Sequence, residues 1–170
     1  MTTLVRRQGG RGWLALAVLL LSGAVLAGCA RGDDPALRDL AAQFDRSVPD
    51  TVLFDFDSAA LDASARAALD AQAAFIRQYP QVWFKVEGHA DRVGSPAYNE
   101  ALGLRRANAA LDYLVSRGVN RAQLEALVSF GEDQPTIETA DRERRNRRVV
   151  TDVGGLLDPE CNCRKRPGVE

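Results

Sequence analysis

The sequence predicts an α/β (α+β) two-layer sandwich, one sheet layered with helices. Two observations carry this. Between residues 51 and 153, short strand-period runs alternate with longer segments of 3.6-residue period, in the order βαβαβ followed by a last strand. The composition of the 170 residues, 46% hydrophobic and 26% charged with 7 Pro and 14 Gly, is that of a folded domain rather than a disordered or fibrous chain. Three Cys are too few for a disulfide scaffold. A formal charge of −1, from 22 Lys+Arg against 23 Asp+Glu, gives no global attraction to nucleic acid.

In chain order, residues 1–28 read as an export signal. Arg6, Arg7 and Arg11 are their only charges, followed by an apolar stretch through Trp13, Leu16 and Leu19 whose second half is small (Ser22, Gly23, Ala24, Ala27). A membrane span wants about 20 strongly apolar residues. The segment closes on Leu26-Ala27-Gly28-Cys29, which resembles the lipobox of bacterial lipoproteins, where the Cys becomes the acylated first residue. That resemblance implies a lipid anchor at Cys29, and Ala30 in place of an inner-membrane-retaining Asp implies the periplasmic face of the outer membrane. Several acyl chains on one Cys exceed what stable anchoring needs. Removing the three signal arginines takes the formal charge from −1 to −4.

Residues 29–50 read as a lipidated tether carrying a short helix through Leu37, Leu40, Ala41 and Phe44. Fully extended, such a length reaches about 70 to 80 Å. The domain itself spans 51–153. Residues 52–56 are a β-prone run, and Leu61, Ala65, Leu69, Ala73 and Ile76 then mark a helix that stops before Pro80. Val82, Phe84 and Val86 alternate with Trp83, Lys85 and Glu87 as in a half-buried strand. After a loop over 88–94, Ser95-Pro96 is an N-cap followed by proline at the first helical position. The helix so begun runs to about Arg117, with Leu104, Ala107, Leu111 and Leu114 as its core stripe and Gly118 as its stop. A helical piece at 122–125, a strand at 127–130, a loop with Gly131 and Pro135, and a strand at 147–153 complete the domain. Residues 154–170 are a loose tail with little apolar periodicity.

The chemistry concentrates at Gly88-His89-Ala90-Asp91-Arg92-Val93-Gly94 and the helix after it. Asn99, Leu102 and Arg106 share one helix face, distinct from the Leu104/Leu111 stripe. With Asp91 in the adjoining loop, this face can present opposite charges to a zwitterion, the carboxylate taking an ammonium and the guanidinium a carboxylate. The bland alternative at this level is that Asp91 bonds loop amides and Arg106 lies in solvent.

The run from Val86 to Ala109, with Tyr98-Asn99, Leu102-Gly103 and Arg105-Arg106-Ala107, resembles the peptidoglycan-binding segment of the OmpA C-terminal-like family, and within it the branch of peptidoglycan-associated lipoproteins. The resemblance covers roughly 52–150, taking in Phe54-Asp55-Phe56-Asp57, Val128-Ser129-Phe130-Gly131 and Asn146-Arg147-Arg148-Val149. It implies noncovalent binding of the diaminopimelate in peptidoglycan stem peptides. Asp91 would take the ammonium and Arg106 the carboxylate, with Phe56 and Asp57 as pocket wall, Asn99 and Leu102 beside them, and one of Arg147 and Arg148 adding a contact. Arg147 is carried as the site residue, although strand alternation alone does not choose between the two. Family members often have Thr where Ala90 stands and Ser where Gly103 stands; both replacements here are found in the lipoprotein branch. The resemblance further implies attachment of outer membrane to wall, and exchange with TolB and other Tol proteins in envelope integrity and division. A family member without Tol partnership is the first alternative.

A peptidoglycan-acting enzyme using His89 and Asp91 is the alternative of another class. His89 is the single histidine, and His-x-Asp supplies too few ligands for a metal site. A structural, hydrogen-bonded His89 is the reading preferred. Ser95 and Ser129 lack a nucleophile-elbow context, and no phosphate-binding Gly-rich loop occurs. No catalytic residue, metal or cofactor is assigned. Arg142, Arg144, Arg145, Arg147 and Arg148 read as a solvated face plus one binding Arg. Cys161 and Cys163 depart from the family pattern, and no role is given to them.

Overall fold

A computed structural model of the chain describes residues 35–156. The signal over 1–28, the anchor Cys29, and the tail residues Cys161 and Cys163 lie outside the described residues. The elements are α1 (Pro35–Ser47), β1 (Thr51–Leu53), α2 (Ala63–Gln78), β2 (Val82–His89), α3 (Pro96–Ser116), β3 (Leu124–Gly131) and β4 (Arg148–Leu156). Short 3-10 turns occupy Arg121–Gln123 and Arg144–Asn146. One sheet of order β1-β4-β2-β3 results. β2 and β3 run parallel through the crossover helix α3, whereas β4 is antiparallel to both β1 and β2.

The sequence accounts for most boundaries. Asp62 caps α2 by accepting from the Ala65 amide at 2.7 Å, and α2 ends before Pro80 as the restriction on residues preceding proline requires. Ser95 accepts from the Tyr98 amide with Pro96 in the first turn. Gly118 takes φ +90°, the left-handed conformation that closes α3. β1 is shorter than the run 52–56, because after Leu53 the chain leaves the ladder toward the functional end.

On β2, Val82, Phe84 and Val86 enter the core with Leu69, Ile76, Ala107, Leu111, Leu114, Val149 and Val153. Trp83 points to the opposite side, yet it is buried under Lys85, whose ammonium lies 5.5 Å from the ring centroid. The core stripe of α3 differs from expectation at one residue: Leu104 is 42% exposed, while Ala107, Leu111 and Leu114 are fully buried. The reason is a close helix–strand contact at Gly103. A Cβ on Gly88 would stand 2.0 Å from the Gly103 carbonyl oxygen, so α3 turns its glycine onto β2 and carries Leu104 outward.

α1 falls within the stretch read as tether, and its later half belongs to the core. Phe44 is completely buried, edge to face with Phe75 at 5.2 Å, and Phe75 in turn packs on Tyr79 at 4.8 Å. A buried Phe truncated to Ala costs about 3 to 5 kcal/mol. Phe44→Ala is therefore expected to lower urea-unfolding stability by that order; a change below about 0.5 kcal/mol would return α1 to the tether. The glycine contact gives a second expectation. A Cβ on Gly103 would meet the Ser129 hydroxyl oxygen at 2.3 Å, so Gly103→Ala destabilises, and adding Ser129→Ala recovers part of the loss in a double-mutant cycle.

Candidate functional site

β2 delivers the site residues by ending in a locked turn. The Ala90 amide donates to the Gly131 carbonyl at 2.7 Å, and Gly131 adopts φ +48° beside α3. Asp91 follows, 3% exposed, and pairs with Arg147 Nη1 at 3.0 Å. Arg147 is fixed just before β4 by donating from Nε to the Phe54 carbonyl at 3.1 Å. Arg148 goes elsewhere, with Nη2 on the Gln134 carbonyl at 3.1 Å. Arg147 is thus the one that meets Asp91.

Arg106 is the largest fully buried side chain. Its Nε donates to Ser58 O at 2.8 Å, Nη1 to His89 O at 2.9 Å and Nη2 to Asp55 O at 3.1 Å. One guanidinium therefore ties the 55–58 loop and the end of β2 to α3. Burial pulls its pKa down to about 10, and the negative Asp91 opposes the shift, so it stays charged at neutral pH. Its cationic carbon lies 5.5 Å from the Phe54 ring centroid. Asp91 therefore sits within the field of two buried guanidiniums, and Asp57 adds a second negative charge to the field at Arg106.

The loop above this cluster holds Phe56, 39% exposed, and Asp57. Asp57 has φ +52°, the sole non-glycine in the left-handed region among the described residues, and it accepts a short hydrogen bond from the Tyr98 hydroxyl. That bond, with the carboxylate charge behind it, raises the Tyr98 pKa. Leu102 is buried on the inner face of α3. Asn99 is buried too, but its Nδ2 donates to Glu132 at 2.6 Å, which holds the loop after β3. Asp57, Asp91, Arg106 and Arg147 are thus brought together, with Phe56 and Leu102 as surroundings; Asn99 ties the loop after β3 through Nδ2, while its buried Oδ1 has no hydrogen-bond partner among the described residues. Sequence reasoning does not place Tyr98 among the site residues; its one sequence signal is its place beside Asn99 at the start of the helix. The carbonyls that hold Arg106 leave no trace in side-chain pattern.

His89 departs from the hydrogen-bonded reading. It is buried, its ring stacks on Phe130 at 5.4 Å, and neither ring nitrogen has a hydrogen-bond partner among the described residues. Burial, assisted by the charge of Arg148, lowers its pKa to about 4. Asp91 is bonded to Arg147, not to His89. Among the described residues no three His, Cys, Asp and Glu side chains gather as a metal site.

The model of the OmpA family matches residues 53–148. A peptidoglycan-associated lipoprotein of Rhizobium meliloti (strain 1021) is 41% identical over 131 residues, 76% of this chain and 74% of that one. Its counterpart in Brucella melitensis is 35% identical over 156 residues, 82% of this chain and 92% of the relative. Among solved structures, the peptidoglycan-associated lipoprotein from Burkholderia pseudomallei superposes with a TM-score of 0.59 at 34% identity, covering 62% of this chain and 90% of that one.

The neutral His89 gives a pH expectation. Its folded pKa lies below the unfolded value of about 6.5, so the unfolded chain binds the extra proton and stability falls as pH drops from about 6.5 to about 4. At about 1.4 kcal/mol per pH unit the contribution is at most about 3 kcal/mol across that window. His89→Phe should flatten this part of the stability–pH curve measured by urea titration; an unchanged slope would show that the ring is solvated.

Proposed function

The chain belongs to the OmpA family, and from that premise we propose that it is an outer-membrane lipoprotein that binds peptidoglycan noncovalently through diaminopimelate and so fastens the membrane to the wall. In this reading residues 1–28 are removed on export, Cys29 carries the lipid and faces the periplasm, and the body containing β1 to β4 is the wall-binding module. The lipobox-like Leu26-Ala27-Gly28-Cys29 and the names of the Rhizobium and Brucella relatives support it.

The observation that carries the reading is the placement of one carboxylate, Asp91, beside two buried guanidiniums, with the exposed carboxylate of Asp57 above them. A guanidinium has five N–H groups. Arg106 uses three on carbonyls, and Arg147 uses two on Phe54 O and Asp91. The remaining donors suit a ligand carboxylate. The ammonium on the same ligand carbon is taken by Asp91 and Asp57, whose oxygens have lone pairs to spare. Charge-assisted hydrogen bonds of this kind contribute about 1.5 to 3 kcal/mol each, more strongly when water is excluded. Because Ser58 O and Asp55 O lie on the Arg106 guanidinium, the ligand reaches it when the 55–58 loop yields, with left-handed Asp57 as the pivot held by Tyr98.

A binding module rather than an enzyme fits His89, which is buried, neutral and not hydrogen-bonded to Asp91. Exchange with TolB and the other Tol proteins completes the reading. It draws on the peptidoglycan-associated lipoprotein relatives, and a pull-down with TolB tests it: recovery of a complex is expected, and its absence leaves a wall-binding lipoprotein without Tol partnership.

Binding itself is tested by co-sedimentation of the chain lacking residues 1–28 with diaminopimelate-type sacculi. Asp91→Ala should reduce the bound fraction at least tenfold, scored per folded molecule by circular dichroism in the same buffer, because loss of the counter-charge to two buried guanidiniums also lowers stability by about 3 to 5 kcal/mol. Undiminished sedimentation of that variant would remove Asp91 from the site. Arg106→Ala is a poorer probe, since it strands one buried and two part-buried carbonyls, takes a positive charge from beside Asp91 and lowers stability by several kcal/mol.

A further inference from the structure

Outside the buried cluster two further cations stand at its mouth. Arg142 lies over the exposed ring of Phe56, its guanidinium carbon 3.8 Å from the ring centroid. Arg105 lies over the exposed ring of Tyr98 at 5.4 Å. Both rings flank Asp57, Phe56 by sequence and Tyr98 through its hydroxyl. The field of Arg105 reaches the buried Arg106. The neighbouring arginines are already matched: Arg144 to Asp62 at 3.2 Å, Arg145 to Glu143 at 3.0 Å and Arg147 to Asp91 at 3.0 Å. Arg92 is matched to Glu138 at 3.0 Å. Arg142 and Arg105 have no carboxylate partner among the described residues. A guanidinium over a ring is held in place by the ring while its N–H groups can still grip a carboxylate; Arg142 is held in this way over Phe56, and Arg105 is held both over the Tyr98 ring and by a hydrogen bond to the Tyr98 side chain, which leaves its other donors for a ligand.

We propose that Arg142 and Arg105 form an aromatic-mounted cationic rim that recognises a second free carboxylate on the same peptide, one residue removed from the diamino acid, so that the module prefers stems whose carboxylates are free over stems in which they are amidated. The proposal rests on the binding reading above and deepens it. The buried cluster reads the zwitterionic end of the diamino acid. The rim reads the acidity of the peptide entering it. Amidation removes the charge and replaces an acceptor oxygen with a donor that faces two cations.

The test is a titration of the chain lacking residues 1–28 with two synthetic tripeptides, Ala-γ-D-Glu-diaminopimelate with the Glu α-carboxylate free or amidated. The unaltered chain should bind the free acid about three- to tenfold more tightly, the range expected for two exposed charge pairs. That preference should shrink on raising salt from 50 to 500 mM, because the rim is exposed. Arg142→Gln combined with Arg105→Gln should bring the two peptides to equal affinity, leaving binding of the amidated peptide unchanged. Equal affinities in the unaltered chain, or a preference that survives in the double variant, would overturn the rim while Asp91→Ala still abolished binding of both peptides. Failure of the unaltered chain to bind either peptide would instead defeat the underlying site and the rim with it.

Discussion

Much of this fold turns on a single buried guanidinium. Arg106 is completely buried in α3, and its donors reach carbonyls of Asp55 and Ser58 in one loop and His89 at the end of β2. A charge in such a place is tolerated only when its hydrogen-bonding groups are engaged and a counter-charge lies near. The carbonyls meet the first requirement and Asp91 the second. The arrangement in turn requires α3 to lie unusually close to β2, which the Gly88–Gly103 contact allows. Removal of Cβ atoms at two positions is thus what lets a helix bring an arginine to the end of a strand.

The same interaction joins stability to recognition. The groups that hold the 55–58 loop are the groups with which a zwitterionic ligand would exchange hydrogen bonds, so the proposed binding surface would be part of the core rather than a patch added to it. Asp57 in a left-handed conformation, under the Tyr98 hydroxyl, is the place where the backbone departs from what its residue type favours. Sites that combine local strain with buried charge are where folding preferences and function compete. Around this centre the remaining architecture is conventional: a layer of α2 and α3 on one sheet, with Phe44 of α1 closing the far end of the core against Phe75.

Local signals in the sequence sufficed for the layers and most boundaries. Ser95-Pro96 and Gly118 bracket α3 as capping chemistry requires, and Val82, Phe84 and Val86 alternate into the core. Pairings between distant segments were harder to read. Asp91 and Arg147 are 56 positions apart, and strand alternation could not separate Arg147 from Arg148 until Phe54 O fixed the former and Gln134 O the latter. Leu104 looked like core because it is apolar at a helical interval, and it is exposed because Gly103 takes the contact beside it. A hydrogen-bonded partner is expected for His89, whereas its ring stacks on Phe130 and burial, with the charge of Arg148, holds it neutral. Periodicity reports which face is apolar; it does not report what a buried polar group will find there.

In the proposed function the Asp91, Arg106 and Arg147 cluster acts as a receptor for a zwitterionic amino acid. The most direct measurement is a backbone-amide NMR titration of the chain lacking residues 1–28 with meso-diaminopimelate. Saturable shifts are expected at 55–58, 89–94 and 147, with pimelate, which lacks both amines, producing none. Shifts confined to other surfaces, or equal shifts with pimelate, would contradict the assignment of the cluster as the receptor.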